Sequence, residues 1–222
     1  MSATTEETPL ATRIELRRFV GRELVLWLWF ESEIFEGTLW TKKHGSFGMW
    51  LEGRLVLDEA RESTVIKGSA PGNHREAKES LLRGKTPNRA GLHLAWEGRD
   101  HALTLRGDTL AFAGLTPPGK PLDEEEPPVD LGDRPPPRKR KRKADDVDES
   151  DLERESFYER MHHARDVEGL FEALYRDFLA LRLGPAWDKD VLPPIAAWVR
   201  GEDVDEAAYR RARDRAVGAR RP

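Results

Sequence analysis

The chain has 222 residues, 38% hydrophobic and 35% charged, with a formal net charge of -4. That balance is too polar for one uniformly packed body and excludes an all-over basic coat for nucleic acid, while leaving room for a local basic patch. Cysteine is absent, which excludes disulfides, thiolate zinc sites and cysteine nucleophiles and fits a reducing compartment.

Residues 1–13 read as a flexible N-terminus, and the first 30 residues lack the basic start and small-residue cleavage site of a signal peptide. The apolar run over residues 24–30 is far shorter than the roughly 20 residues that cross a bilayer. A cytoplasmic protein without a membrane partner is therefore expected. Residues 14–35 predict a helix, because Leu16, Val20, Leu24, Trp27, Leu28 and Glu31 fall near one stripe at helical spacing.

Strands follow. Residues 38–42 form a short one. Residues 47–51 and 55–57 flank the turn-like triplet Glu52-Gly53-Arg54 and predict a hairpin, and residues 64–67 predict a further strand. After Pro71 and Gly72, residues 74–82 predict a short helix with Gly84 placed as its C-terminal cap. The strongest hairpin signal is Leu92, Leu94 and Trp96, then Glu97-Gly98-Arg99-Asp100, then Ala102, Leu103 and Leu105. Residues 110–115 predict one more strand.

Apolar periodicity is lost from 116 to 150. Eight prolines, an acidic run at 123–126 and then Arg138, Lys139, Arg140, Lys141, Arg142 and Lys143 predict a disordered linker. A helical C-terminal region is expected over 151–222, with a break near His163, a stop at Gly184-Pro185, a short helix after Pro193-Pro194 and a weak stripe at Ala208, Ala212 and Ala216. The fold class is α+β: a mixed body over 14–115 with an N-terminal helix and antiparallel hairpins, a linker, and C-terminal helices.

One block resembles a known family. Glu79-Ser80-Leu81-Leu82-Arg83-Gly84-Lys85, then Ala90-Gly91-Leu92-His93-Leu94-Ala95-Trp96, then Ala102-Leu103-Thr104-Leu105 and Leu110-Ala111-Phe112 resembles the C-terminal half of the recombination-associated RdgC family. The shared order is a helix ending in Gly-Lys, a Trp-ended strand, a turn and two short strands. Residues 155–183 look like that family's C-terminal helical region. The resemblance implies a non-enzymatic protein that binds double-stranded DNA with little sequence preference, forms a homodimer or larger assembly, and modulates recombination or nucleoid organisation. The family's N-terminal half has no counterpart here, and the basic insert is not one of its hallmarks.

The candidate DNA contacts are two groups. Six consecutive cations, Arg138 to Lys143, would each steepen the salt dependence by roughly 0.9 in log-log slope if each met a phosphate; the alternatives are a solvated run that keeps the hinge extended and pairs with its acidic flanks, and a nuclear-targeting-type address. Lys67, Arg83, Lys85 and Arg89 form the second group, set against the simpler role of Lys85 as a cation near a helix end. Arg17, Arg18 and Arg22 are a further basic face. Trp27, Trp29, Trp96 and Trp198 read as core, and Trp50 as the one contact candidate among the tryptophans. The adjacent His162-His163 pair points two ways on a helix and does not make a metal site. Glu31, Glu33 and Glu36 read as surface carboxylates rather than a nuclease metal cluster. No catalytic residue, metal or cofactor is expected. The alternative to DNA binding is a scaffold subunit docking a partner through Phe157, Phe171, Leu174 and Phe178.

Overall fold

The computed structural model describes residues 10–59, 62–116 and 149–218, with the backbone alone for 10–19, 116, 149–156 and 159. The described residues form five α-helices and six strands. Helix α1 (Leu10–Ile34) is followed by β1 (Thr38–Thr41), β2 (Gly45–Glu59) and β3 (Glu62–Gly68). A 3-10 turn (Pro71–Asn73) leads to α2 (Arg75–Leu82), then β4 (Thr86–Trp96), β5 (Arg99–Arg106) and β6 (Phe112–Thr116). Helix α3 (Glu149–Arg182), a π-helical turn (Trp187–Val191), α4 (Leu192–Arg200) and α5 (Glu206–Ala216) complete the chain. The arrangement is α+β, as the residue patterns predict.

The sheet is antiparallel at every pairing, in the order β1-β2-β4-β5-β6. Strand β2 is long enough to pair successively with β1 and β3 along one edge and with β4 along the other. Alternation sends Met49, Leu51, Leu55 and Leu57 of β2, Leu92, Leu94 and Trp96 of β4, and Leu103 and Leu105 of β5 to one face, where all are buried. Helix α1 packs on β2, β4 and β5, and the helices of the C-terminal region close over it. Trp27 meets Phe178 at 5.6 Å between ring centroids, and Phe30 meets Trp198 and Tyr209 edge-on at 5.6 and 5.0 Å. Trp27, Trp29, Trp96 and Trp198 are core residues, as their apolar surroundings predict. The tryptophan ring brings the largest apolar area of any side chain to such a core.

Three expectations are corrected. Residues 47–57 are one strand, not a hairpin. Glu52-Gly53-Arg54 is a bulge, with Leu51 opposite Leu92 and Leu55 opposite Ala90 of the same partner strand. Gly53, at φ 76°, supplies the left-handed step. Helix α3 runs through His163 unbroken, since nothing there stops a helix and its apolar stripe resumes at Val167. On α5 the buried stripe is Tyr209, Ala212 and Arg213, not Ala208, Ala212 and Ala216. The expected linker at 116–150 lies almost wholly outside the described residues.

Turn chemistry agrees with the pattern elsewhere. The β4–β5 hairpin turns on Glu97 and Gly98, both left-handed at φ 52° and 72°, as a two-residue turn of this twist requires. After α2, Gly84 (φ 91°) reverses the chain while its own N–H and that of Lys85 donate to Leu81 and Ser80 carbonyls.

Candidate nucleic-acid interface

Because one face of the sheet is buried, every second side chain of β2–β5 points the other way, onto a face that no helix of the described residues covers. Lys67 and Arg54 stand directly opposite each other on β3 and β2. One step further along, Val65, Val56, Arg89 and Arg106 form a row across four strands. The four cations span about three strand spacings, roughly 14 Å. Arg106 is held by Asp108 through two hydrogen bonds, at 3.1 and 2.9 Å, and that pair raises Arg106 and lowers Asp108 from their ordinary values. Arg54, Lys67 and Arg89 are exposed and have no carboxylate partner among the described residues.

Like charges directly opposite each other weaken a sheet. The pair Arg54 with Lys67 is therefore an arrangement that folding alone does not favour, whereas Arg106 opposite Arg89 has its charge answered by Asp108.

The bulge builds this geometry. Gly91 of β4 lies beneath it, and a Cβ there would sit 2.1 Å from the Glu52 carbonyl oxygen and 3.2 Å from the Arg54 nitrogen. Only a bare glycine lets the bulge settle and bring Arg54 beside Lys67.

About 14 Å along β4 from Arg89, four strand residues on, the face changes character. Trp50 lies flat on His93, 4.3 Å between centroids and 10° between planes, and is 39% exposed. His93 Nδ1 faces Glu52 Oε2 at 2.8 Å and Nε2 faces Asp100 Oδ1 at 3.1 Å. Both contacts are hydrogen bonds together only when the ring carries both protons. The face is thus cationic at one end and aromatic with acidic flanks at the other.

Of the sequence-predicted contacts, the structure brings Lys67 and Arg89 together on this face. It separates Arg83 and Lys85 from them. Lys85 Nζ donates to Thr64 Oγ1 at 3.1 Å and pairs with Glu62 at 3.5 Å, with its side chain only 13% exposed. Thr64 lies opposite the buried Leu57, so Lys85 is anchored on the helix side of the sheet. Arg83 is the C-terminal cap residue of α2, the helix whose Ala77 lies in the core and which packs against α4. Arg22 donates to Thr86 Oγ1 at 3.1 Å, on the side where α1 packs, and is no surface contact. Residues 138–143 lie outside the described residues. Arg54 was missed because its triplet reads as a turn.

The carboxylates of α1 need the larger correction. Glu31 is wholly buried, not a surface residue. Its Oε1 accepts from Arg213 Nε at 2.6 Å and from Tyr209 Oη at 2.8 Å, while Tyr209 Oη accepts from Trp27 Nε1 at 2.8 Å. Arg213 also donates to the Trp40 carbonyl at 2.8 Å. Burial pushes the Glu31 carboxyl above its ordinary range against the pull of Arg213 and Tyr209. Burial alone would lower Arg213, but Glu31 on balance holds it above its ordinary value. Glu33 is half-buried, its oxygens accepting from Trp29 Nε1 at 2.6 Å and Trp198 Nε1 at 2.7 Å and pairing with Lys78 at 2.9 Å.

Asp177 of α3 lies near this network and is raised chiefly by burial, with Arg213 and Lys42 pulling it down. An acid raised in the folded state gives stability that is present below its ordinary value and lost as the pH rises through the folded one. Asp177→Asn should therefore raise the melting temperature at pH 7, with the gain gone below about pH 4. Calorimetry at the two pH values checks this, and an equal effect at both would contradict it.

Among the described residues there is no cluster of three His, Asp or Glu side chains able to hold a metal ion, and no helix is long and apolar enough to cross a membrane. No family model, curated protein or solved structure matches this chain.

Proposed function

We propose that this chain binds nucleic-acid backbone without a chemical step, with duplex DNA as its partner and the open sheet face as its surface. The observation that carries this reading is the set of three exposed cations, Arg54, Lys67 and Arg89, gathered on one face with no carboxylate partner among the described residues, Arg54 standing directly opposite Lys67. Phosphates offset the repulsion and release condensed counterions. A flat surface of point charges contacts backbone and does not read base edges, so the binding is sequence-tolerant. The tract from Arg138 to Lys143 adds further phosphate contacts as an auxiliary arm. Roles in recombination or nucleoid organisation, and assembly as a homodimer, rest on the likeness of residues 79–112 to the RdgC family.

The test is fluorescence anisotropy with random-sequence duplex DNA across a salt series. The full chain carrying Arg54→Gln, Lys67→Gln and Arg89→Gln should bind about a hundredfold more weakly at low salt. Its log-log salt slope should shrink by about 2 to 3. Deleting residues 138–143 should lower the slope yet leave saturable binding. Unchanged affinity and slope in the triple variant would sink the proposal.

A second reading has its own observation, although Phe171, Leu174 and Phe178, expected to dock a partner, are buried in the core and only Phe157 of that set is exposed. Phe157, Tyr158 and Met161 of α3 are 52, 62 and 42% exposed, ahead of Val167 where the helix enters the core. Such a stripe suits a partner protein. Under this reading Phe157→Ser with Met161→Ser abolishes partner capture and leaves DNA binding intact.

A further inference from the structure

A cleft of about 430 Å³ opens where α1 ends, between the Glu36-Gly37 turn, β2 and the 3-10 turn. It is large enough for a small organic group. Trp29, Glu33, Glu36, Trp50, Gly72 and Asn73 are among its lining residues, and among the described residues no Lys, Arg or His lines it.

Its parts have distinct roles. Trp29 is buried and closes the floor. Gly72 presses on that floor so closely that a Cβ would sit 2.3 Å from Trp29 Nε1, so a side chain here would intrude on the floor. Glu33 is pinned by two indole N–H groups and Lys78, which fixes a carboxylate at the wall without leaving it free to swing. Glu36 is exposed, is held left-handed at φ 49°, and makes no side-chain hydrogen bond or ion pair among the described residues. Trp50 forms the aromatic wall. One face of its ring is stacked on His93, and the ring stays 39% exposed.

We infer that this cleft binds an organic cation, a guanidinium or alkylammonium group on an apolar stem. An aromatic wall attracts such a cation through the ring quadrupole, and the Glu36 carboxylate supplies the countercharge that Glu33, already paired with Lys78, does not. An anion meets the Glu36 carboxylate, with no lining cation among the described residues. A neutral apolar group fits the wall but leaves the Glu36 charge unanswered. The stem covers the apolar floor while the charged end meets Glu36. This site is separate from the cationic end of the sheet face and holds or fails independently of DNA binding.

The experiment titrates the 15N-labelled full chain with n-butylguanidinium, with n-butylurea as a neutral control of the same shape, and with N-acetyl-arginine N-methylamide to represent a peptide side chain. The Trp50 indole N–H signal, assigned through Trp50→Phe, should move saturably with the two cations and not with the urea, while that of Trp187 stays still. Glu36→Gln, a change at an exposed side chain, should weaken the cations about fivefold, the worth of one exposed charge contact. If the arginine derivative binds more tightly than butylguanidinium, the natural ligand is a peptide; the reverse order points to a free small cation, and both orders support the site. Absence of saturable binding, equal binding of the urea, or indifference to Glu36→Gln would overturn it.

Discussion

Replacing Arg213 by alanine should destabilise the protein by about 3–5 kcal/mol, the cost of removing one partner from a buried ion pair. At this chain length that is a fall in melting temperature of roughly 6–20 °C. Both partners lie in the core, at 2 and 0% side-chain exposure. Without the guanidinium, the Glu31 carboxylate would keep the Tyr209 hydroxyl as a donor and lose its countercharge, and the Arg213 hydrogen bond to the Trp40 carbonyl would be lost. The defect should depend on pH. Glu31 is already raised by burial, and losing Arg213 raises it further. A carboxyl raised in the folded state is destabilising once ionised, so the deficit is greatest near pH 7 and shrinks as the pH falls towards 4. The double variant Glu31→Gln with Arg213→Met should recover more than half of the loss, because an uncharged pair of similar volume needs no countercharge. Thermal unfolding at pH 7 and 4 measures all three. A deficit below about 1 kcal/mol for Arg213→Ala, within the range of ordinary surface changes, would show that the pair does not hold α5 to α1.

Gly91→Ala carries the second large effect, about 3 kcal/mol, by forcing a methyl group into space held by the backbone of the β2 bulge. Backbone cannot rotate aside as a side chain does, so the strands must separate or the bulge must move. Melting should fall by roughly 6–12 °C. Arg54 sits in that bulge, so on the DNA-binding reading proposed above folded Gly91→Ala protein should also bind duplex DNA more weakly, with a salt slope smaller by about 1. By contrast Gly53, also in the bulge, has no atom within 4 Å of a Cβ, and its constraint is its left-handed φ of 76°. Gly53→Asn, a residue that tolerates this region, should cost less than 1 kcal/mol. If Gly91→Ala proves as mild as Gly53→Asn, the close fit of the bulge over β4 is not what shapes the face.

Local signals were legible wherever one residue or a short period decides the structure. Gly98 and Gly84 mark turns that need left-handed residues, and both lie where the pattern puts them. The paired prolines at 193 and 194 begin α4, and Gly201 at φ 73° ends it. Alternation in residues 92–96 and 102–105 separates core from open face because side chains of a strand point alternately up and down. Even Glu31 carried a signal, since it falls near the apolar stripe of α1. Its polarity reads as surface because the residue that neutralises it, Arg213, is 182 positions away.

By itself, then, the sequence determined the α+β class, the helix over most of residues 14–35, the Trp-ended hairpin, the tryptophan core and the placement of Lys67 at a strand end. These follow from periodicity and from backbone preferences that act within a few residues. The tertiary structure alone decided that Glu52-Gly53-Arg54 is a bulge and not a turn. A glycine-centred triplet satisfies both, and the choice rests on whether Leu51 and Leu55 pair with one strand or with each other. It also decided which basic residues share a face: Arg54 joins Lys67 through that bulge, while Lys85 is drawn to Glu62 and Thr64 on the far side. A patch of charge is a property of a surface, and a surface exists only once distant segments are in register.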